Sequence, residues 1–200
     1  MAFGVFGGTF DPPHIAHLIL AAEAQAQLGL SRVVWVLTAK SPLKVDLLIS
    51  DLDFRLDMLA QAIKDNPDFS ISRVDIDRSP PYYSVDTVHL LSQANPSEEL
   101  VYLMGEDSLN DLPRWHKPVD FVAACDSIGV MRRLGEEHTN LMDLGALIPG
   151  LTEKVRFVDA PLLDISSSEI RRRAAQGLPY RYFLPPGVFE IIQARHLYHN

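Results

Sequence analysis

Residues 2–18 read Ala2-Phe3-Gly4-Val5-Phe6-Gly7-Gly8-Thr9-Phe10-Asp11-Pro12-Pro13-His14-Ile15-Ala16-His17-Leu18. An apolar run over Ala2–Phe6 breaks into paired glycines, a polar stretch and two prolines, and an amphipathic segment follows. That is the pattern of a buried strand turning sharply into a helix. Glycine permits the turn and a close approach to a ligand because no Cβ intervenes. Pro12 and Pro13 are expected at the helix start, where φ is pre-set and a missing N–H costs nothing. A helix opening there aims unpaired N–H groups and partial positive charge at whatever lies above the strand end.

The histidines sharpen this reading. His14 and His17 are three residues apart, so they share one helical face. Ile15, Leu18, Ile19, Ala22 and Ala26 form a neighbouring stripe expected to pack on a sheet. The helix therefore presents two imidazoles along the rim of its own N-terminus, a donor set suited to a polyphosphate. A metal site is the competing use of such a pair. The Glu of an H-E-x-x-H helix is missing, however, and no cysteine is nearby. The Walker A pattern and the dinucleotide G-x-G-x-x-G are absent from this turn as well.

Outward from that turn, strand-like and helix-like segments alternate. Val33–Leu37 is unbroken apolar sequence, the mark of a strand covered on both faces. Ser50, with Asp53 three residues on, is expected to cap a helix carried by Leu52, Leu56, Leu59 and Ile63. Phe69–Ile76 alternates like a strand, and Ser84 is expected to cap a helix reaching Ala94. Leu100–Met104 is another buried strand, ending at Gly105. A loop bearing Pro113, Trp115 and Pro118 follows, with a short helix on either side. Strands are expected over Ser127–Met131 and Val155–Val158, with a helix over Glu137–Leu147 between them. Helices over Ser166–Gln176, ended by Gly177, and Pro185–Leu197 close the chain. No repeat, low-complexity tract or linker interrupts the series. The pattern is βαβα, hence one doubly wound α/β domain on a parallel sheet, 1–200, with C-terminal helices. Ligands bind such sheets beyond the carboxyl ends of the strands, where the strand order reverses.

Bulk properties fit this picture. The 200 residues are 47% hydrophobic, enough for a sizeable core. A net charge of −8 argues against a general nucleic-acid or anionic-membrane binder. One cysteine, Cys125, excludes an internal disulfide framework and fits a reducing compartment. No signal-peptide pattern and no apolar run of ~18 residues is seen, so a soluble cytoplasmic protein is expected.

A second motif lies near the end. Ser166-Ser167-Ser168-Glu169-Ile170-Arg171 follows the last strand and opens a helix, with Arg171 one turn beyond Ser168. Hydroxyls at a helix start cap its free N–H groups. An arginine fork fits phosphate oxygens bidentately.

Gly7–His17 resembles the G-G-T-F-D-P-x-H-x-G-H signature of the nucleotidyltransferases related to class I aminoacyl-tRNA synthetases. Among these it is most similar to the bacterial nicotinate-nucleotide adenylyltransferases. Ala16 stands where the family has glycine, leaving both imidazoles in place. The serine-arginine helix resembles the family's I-S-S-[TS]-x-I-R motif. Gly105-Glu106-Asp107-Ser108-Leu109 with Pro113 and Trp115 resembles G-x-D-S-L-x-x-[LF]-P-x-W, and Pro81-Tyr83-Ser84 resembles the P-S-Y-T loop. Ser41-Pro42-Leu43-Lys44 aligns with P-P-H-K but lacks its histidine, and Arg133-Leu134-Gly135 aligns with R-P-G but lacks its proline. The matches run in order along nearly the whole chain.

The resemblance implies a Rossmann-like fold and the reaction of ATP with nicotinate mononucleotide to give nicotinate adenine dinucleotide and pyrophosphate. It implies His14, His17 and Arg171 as catalytic residues. Gly7, Gly8, Thr9, Phe10, Lys44, Gly105, Asp107, Ser108, Arg133, Ser167 and Ser168 would hold ATP, and Tyr83, Ser84 and Trp115 the mononucleotide. Mg²⁺ is expected to enter on phosphate oxygens and water, with no protein ligand set. The rivals are a pantetheine-phosphate adenylyltransferase or cytidylyltransferase, a nicotinamide-mononucleotide enzyme, and a catalytically idle nucleotide sensor.

Overall fold

A computed structural model describes residues 1–39, 49–133, 139–161 and 163–199, with Arg133 described as backbone. Six strands form one sheet: β1 Ala2–Gly8, β2 Val33–Leu37, β3 Phe69–Ser72, β4 Glu99–Gly105, β5 Ser127–Arg133 and β6 Val155–Ala160. All pairings are parallel, in the order β3-β2-β1-β4-β5-β6. The chain winds outward from β1 to β3, then crosses to β4 and winds the other way. The strand order therefore reverses between β1 and β4, which leaves a crevice beyond their carboxyl ends.

Helices cover both faces: α1 Ile15–Leu28, α2 Leu52–Ile63, α3 Ser84–Ala94, α4 Glu106–Asp111, α5 Pro118–Ala124, α6 Leu141–Leu147, α7 Leu151–Lys154, α8 Ser167–Ala175 and α9 Val188–Ala194. The strand period of two sorts the side chains between the two faces. Phe3, Val5, Leu100, Tyr102 and Met104 join the core that includes Val88 and Phe121 of α3 and α5. Phe6, Val101 and Leu103 join the opposite core, with Trp35, Ala21, Ala24 and Leu59. A third cluster packs Met58 of α2 against Ile170, Tyr180, Leu184, Val188 and Ile192, which fixes α8 and α9 to the body.

Several boundaries differ from the sequence expectations. Pro12 and Pro13 precede the helix rather than start it; His14, with extended backbone, is the N-cap and Ile15 the first helical residue. On α1 the buried residues are Ala16, Ala21 and Ala24, while Ala22 and Ala26 are exposed. Small residues at 21 and 24 let the helix lie close to the sheet, and Gly129 makes room for it: a Cβ there would sit 2.8 Å from Leu28 Cδ1.

Ser50 does not cap α2. Asp51 is the N-cap, while the Ser50 peptide is engaged by Asp11 and Arg55. Tyr83, not Ser84, is the N-cap of α3. β3 is an edge strand and stops at Ser72, because residues 73–77 turn back on the Arg73 carbonyl and bury Asp75. The regular part of the helix expected over Glu137–Leu147 begins at Leu141, capped by Asn140; residues 137 and 138 lie outside the described residues. The last helix is shorter than expected: Gly187 (φ 84°) sets its start, and His196 and Tyr198, both at positive φ, lie beyond its end.

Candidate active site

A cavity of about 660 Å³ opens beyond β1 and β4. Its walls come from the turn after β1, the start of α1, the end of β4 with α4, the Trp115 loop, and the start of α8.

The turn after β1 is shaped by packing as much as by conformational freedom. A Cβ on Gly7 would lie 2.8 Å from the Tyr102 hydroxyl, and one on Gly8 would lie 2.7 Å from the Phe10 ring. Phe10 adopts a left-handed backbone (φ 48°) and drives its ring into the core. There it meets Phe6, Trp35 and His17 at centroid distances of 5.7, 5.2 and 5.2 Å. The backbone of 7–10 thus faces the cavity while the Phe10 side chain anchors it from below.

His14 and His17 stack at 3.6 Å with an interplanar angle of 22°. The His14 backbone N–H donates to His17 Nδ1 at 3.1 Å. With Nδ1 accepting, Nε2 is the donor position of the His17 ring. Burial pulls the His14 pKa down to about 4, so this ring is neutral near pH 7, and its Nδ1 is buried without a hydrogen-bond partner. Both rings line the cavity.

The start of α8 docks on the same turn from the other side. Ser166 Oγ caps the helix by accepting from Glu169 N at 3.2 Å. Ser167 Oγ donates to the Pro12 carbonyl at 2.8 Å, and Arg171 Nη1 donates to the Asp11 carbonyl at 2.7 Å. Arg171 Nη2 lies 3.4 Å from Ser168 Oγ. Ser167, Ser168 and Arg171 all border the cavity.

At the opposite end, Gly105, Asp107 and Ser108 line the wall beyond β4, with Trp115 and Ser84 next to them. The Trp115 ring is half-buried and braced by Phe121 and Tyr102. Tyr83 does not line the cavity; its ring stacks on His116 at 3.9 Å and 18°. Lys44 lies outside the described residues, as do Leu43, Leu134 and Gly135, and of Arg133 only the strand backbone is placed. Among the described residues no group of three or more His, Cys, Asp or Glu side chains could hold a metal ion. Nor is any described helix long and apolar enough to cross a membrane. Cys125 is buried away from the cavity, and desolvation pushes its thiol up to about 12.

Sequence reading missed the residues that hold the turn after β1 in place. Arg55 is 2% exposed. It donates to four carbonyls, those of Thr9, Thr38, Ala39 and Ser50, at 3.1, 2.9, 2.8 and 2.9 Å. Asp11, 3% exposed, accepts from Ser50 N and from the Tyr198 hydroxyl. A polar Asp11 inside the signature and a lone arginine on the apolar face of α2 were the available signals.

Six parallel strands in this order, with backbone amides, imidazoles and an arginine gathered over the reversal point, define a Rossmann-like α/β protein. Residues 5–173 match the cytidylyltransferase-like family. A relative from Thermomicrobium roseum, named "Probable nicotinate-nucleotide adenylyltransferase", is 44% identical and covers 98% of this chain and 90% of its own. A relative of the same name from Herpetosiphon aurantiacus is 40% identical, covering 98% and 97%. Two structures of Plasmodium falciparum nicotinic acid mononucleotide adenylyltransferase, complexed with NaAD and with APC, superpose with TM-scores of 0.77 and 0.76 at 17% and 18% identity. They cover 98% of this chain and 97% and 96% of theirs, a likeness of fold. The chain belongs to the cytidylyltransferase-like family and, within it, to the nicotinate-nucleotide adenylyltransferases.

Proposed function

We propose that this chain transfers the adenylyl group of ATP to nicotinate mononucleotide, releasing pyrophosphate, and that residues 1–200 act as one nucleotidyltransferase domain in the cytoplasm. A mononucleotide phosphate oxygen attacks the α-phosphorus of ATP, and the bond from that phosphorus to the β-phosphate oxygen breaks. The nucleophile is already ionised near neutral pH, so no general base and no covalent intermediate is required. The work left to the protein is alignment and stabilisation of moving charge.

One observation carries this reading: the His14–His17 stack and the Ser167–Arg171 helix start, two elements whose groups suit phosphate, come together at the single turn Asp11–Pro12. The backbone of Gly7, Gly8, Thr9 and Phe10 with His14 holds the phosphates. His17 meets the α-phosphate. Ser167, Ser168 and Arg171 take the β and γ phosphates, which depart as pyrophosphate. Gly105, Asp107 and Ser108 receive the nucleotide ribose, and Lys44 and Arg133 are assigned to ATP on the family motif alone. Trp115 and the Tyr83–Ser84 loop take the pyridine end. Mg²⁺ would be held mainly by phosphate oxygens and water, and it would supply neutralisation of phosphate charge.

The test is pyrophosphate release with Mg-ATP and, in parallel, nicotinate mononucleotide, nicotinamide mononucleotide or phosphopantetheine. Turnover that favours the nicotinate substrate is expected. Turnover on phosphopantetheine alone, or none with any acceptor, overturns the assignment.

A further inference from the structure

Between β3 and α3 the chain runs through residues 73–83 without regular structure, yet this segment is held by a saturated polar network. Asp75, 3% exposed, accepts on Oδ1 from Arg78 Nε at 3.0 Å, from Arg78 Nη2 at 2.9 Å and from Thr87 Oγ1 at 2.7 Å. Arg78 Nη1 donates to the Pro81 carbonyl at 2.9 Å and pairs with Asp86 at 3.5 Å. Nη2 also donates to the Tyr83 carbonyl at 3.1 Å. Every guanidinium nitrogen is therefore engaged within the protein, so Arg78 acts on a ligand only through the loop it holds.

What it helps hold is the edge of the cavity. The Tyr83 carbonyl accepts from Arg78 together with Asp86 N, Thr87 N and Thr87 Oγ1 of α3, and because a trans peptide is planar the Ser84 N–H points the opposite way. Ser84 lines the cavity, and as the first residue of α3 its N–H has no partner within the helix. The same restraint sets Tyr83 against His116, which joins this loop to the Trp115 loop across the pyridine end.

We propose that Arg78, seated on the buried Asp75, is a positioning residue that presents the Tyr83–Ser84 peptide to the mononucleotide's ring and so sets selectivity for the ring's acidic substituent. This rests on the functional reading above. An anionic substituent gains from an aligned N–H at a helix start, whereas a neutral amide gains less, so a loosened loop loses the acid selectively.

The experiment measures kcat and KM for both mononucleotides and for ATP in wild type, Arg78→Lys and Asp75→Asn. Lysine keeps the charge but cannot bridge Asp75 and two carbonyls at once. Arg78→Lys is expected to raise KM for nicotinate mononucleotide about tenfold and to narrow its preference over the nicotinamide form by a similar factor. KM for ATP and kcat at saturation are expected to stay within about twofold, because the loop is assigned to the ring substituent and not to the reacting phosphates. Asp75→Asn moves the same way but less, its amide oxygen still accepting. Should Arg78→Lys not fold, Thr87→Val, which removes one hydroxyl from the network, carries the same expectation. An unchanged KM for the nicotinate substrate, or equal rises in KM for all substrates, overturns the inference while wild-type turnover leaves the functional reading standing. A wild type inert toward nicotinate mononucleotide overturns both.

Discussion

The Tyr198 hydroxyl donates to Asp11 Oδ1 at 2.5 Å, across 187 residues of chain. Burial first, and the Asp11 charge second, raise the Tyr198 pKa, so the phenol remains a donor throughout the working pH range. The end of the chain thereby closes the outer side of the turn that Arg171 and Ser167 grip from α8. Tyr198→Phe removes a hydrogen bond to a carboxylate at nearly constant volume. It is expected to lower stability by about 1.5–3 kcal/mol, read as the shift in urea midpoint.

Arg55 holds the loops beyond β1 and β2 through four carbonyls; burial lowers its pKa, an effect the Asp11 charge partly opposes. Arg55→Met strands those carbonyls, at about 1–3 kcal/mol for each acceptor left unmet. Arg55→Lys is expected to restore less than half of that, since one ammonium cannot span four acceptors. Chemical denaturation of the two variants side by side decides it; full recovery by lysine would mean that charge alone matters.

His17 is assigned to the α-phosphate, where charge moves as the bond to the β-phosphate breaks. His17→Ala is expected to lower kcat by about 10²–10³-fold while the circular dichroism spectrum stays native. The lost bond from His14 N should cost only about 1 kcal/mol of stability. Wild-type kcat in this variant would remove His17 from the mechanism.

Acid should weaken the fold through His14. Its folded pKa is about 4 against an ordinary 6.5, so between these values the unfolded chain binds a proton that the folded chain does not. Stability therefore rises with pH across that window: it is fully present above pH 6.5 and lost as pH falls toward 4. The sum is on the order of 3 kcal/mol. Unfolding midpoints measured across the window in wild type and His14→Asn test this, and the variant's curve should be the flatter.

The sheet was legible because its signals are local. Val33–Leu37 and Leu100–Met104 announce buried strands by unbroken apolarity; Gly7-Gly8 marks the end of β1 and Gly105 that of β4. The histidine pair and the serine-arginine helix were legible by spacing, and the parallel order brings them to one crevice. What was not legible depends on partners distant in the chain. Nothing near Arg55 or Tyr198 reveals that they meet carbonyls or a carboxylate 46 and 187 residues away. Of the α1 stripe, Leu18 packs on the core while Ala22 and Ala26 are exposed, because alanine is cheap on either face. Which alanines are buried is decided by Gly129 and the sheet beneath, not by the helix.

The Phe10 ring fills the space where a Gly8 side chain would stand, and its other side packs on Trp35 and Phe6 in the core. The turn after β1 thus has no hinge of its own; mechanically it is the lid of the hydrophobic interior. Softening of that interior on warming reaches the turn directly, so catalytic competence and tertiary order are expected to fail at one temperature rather than in sequence.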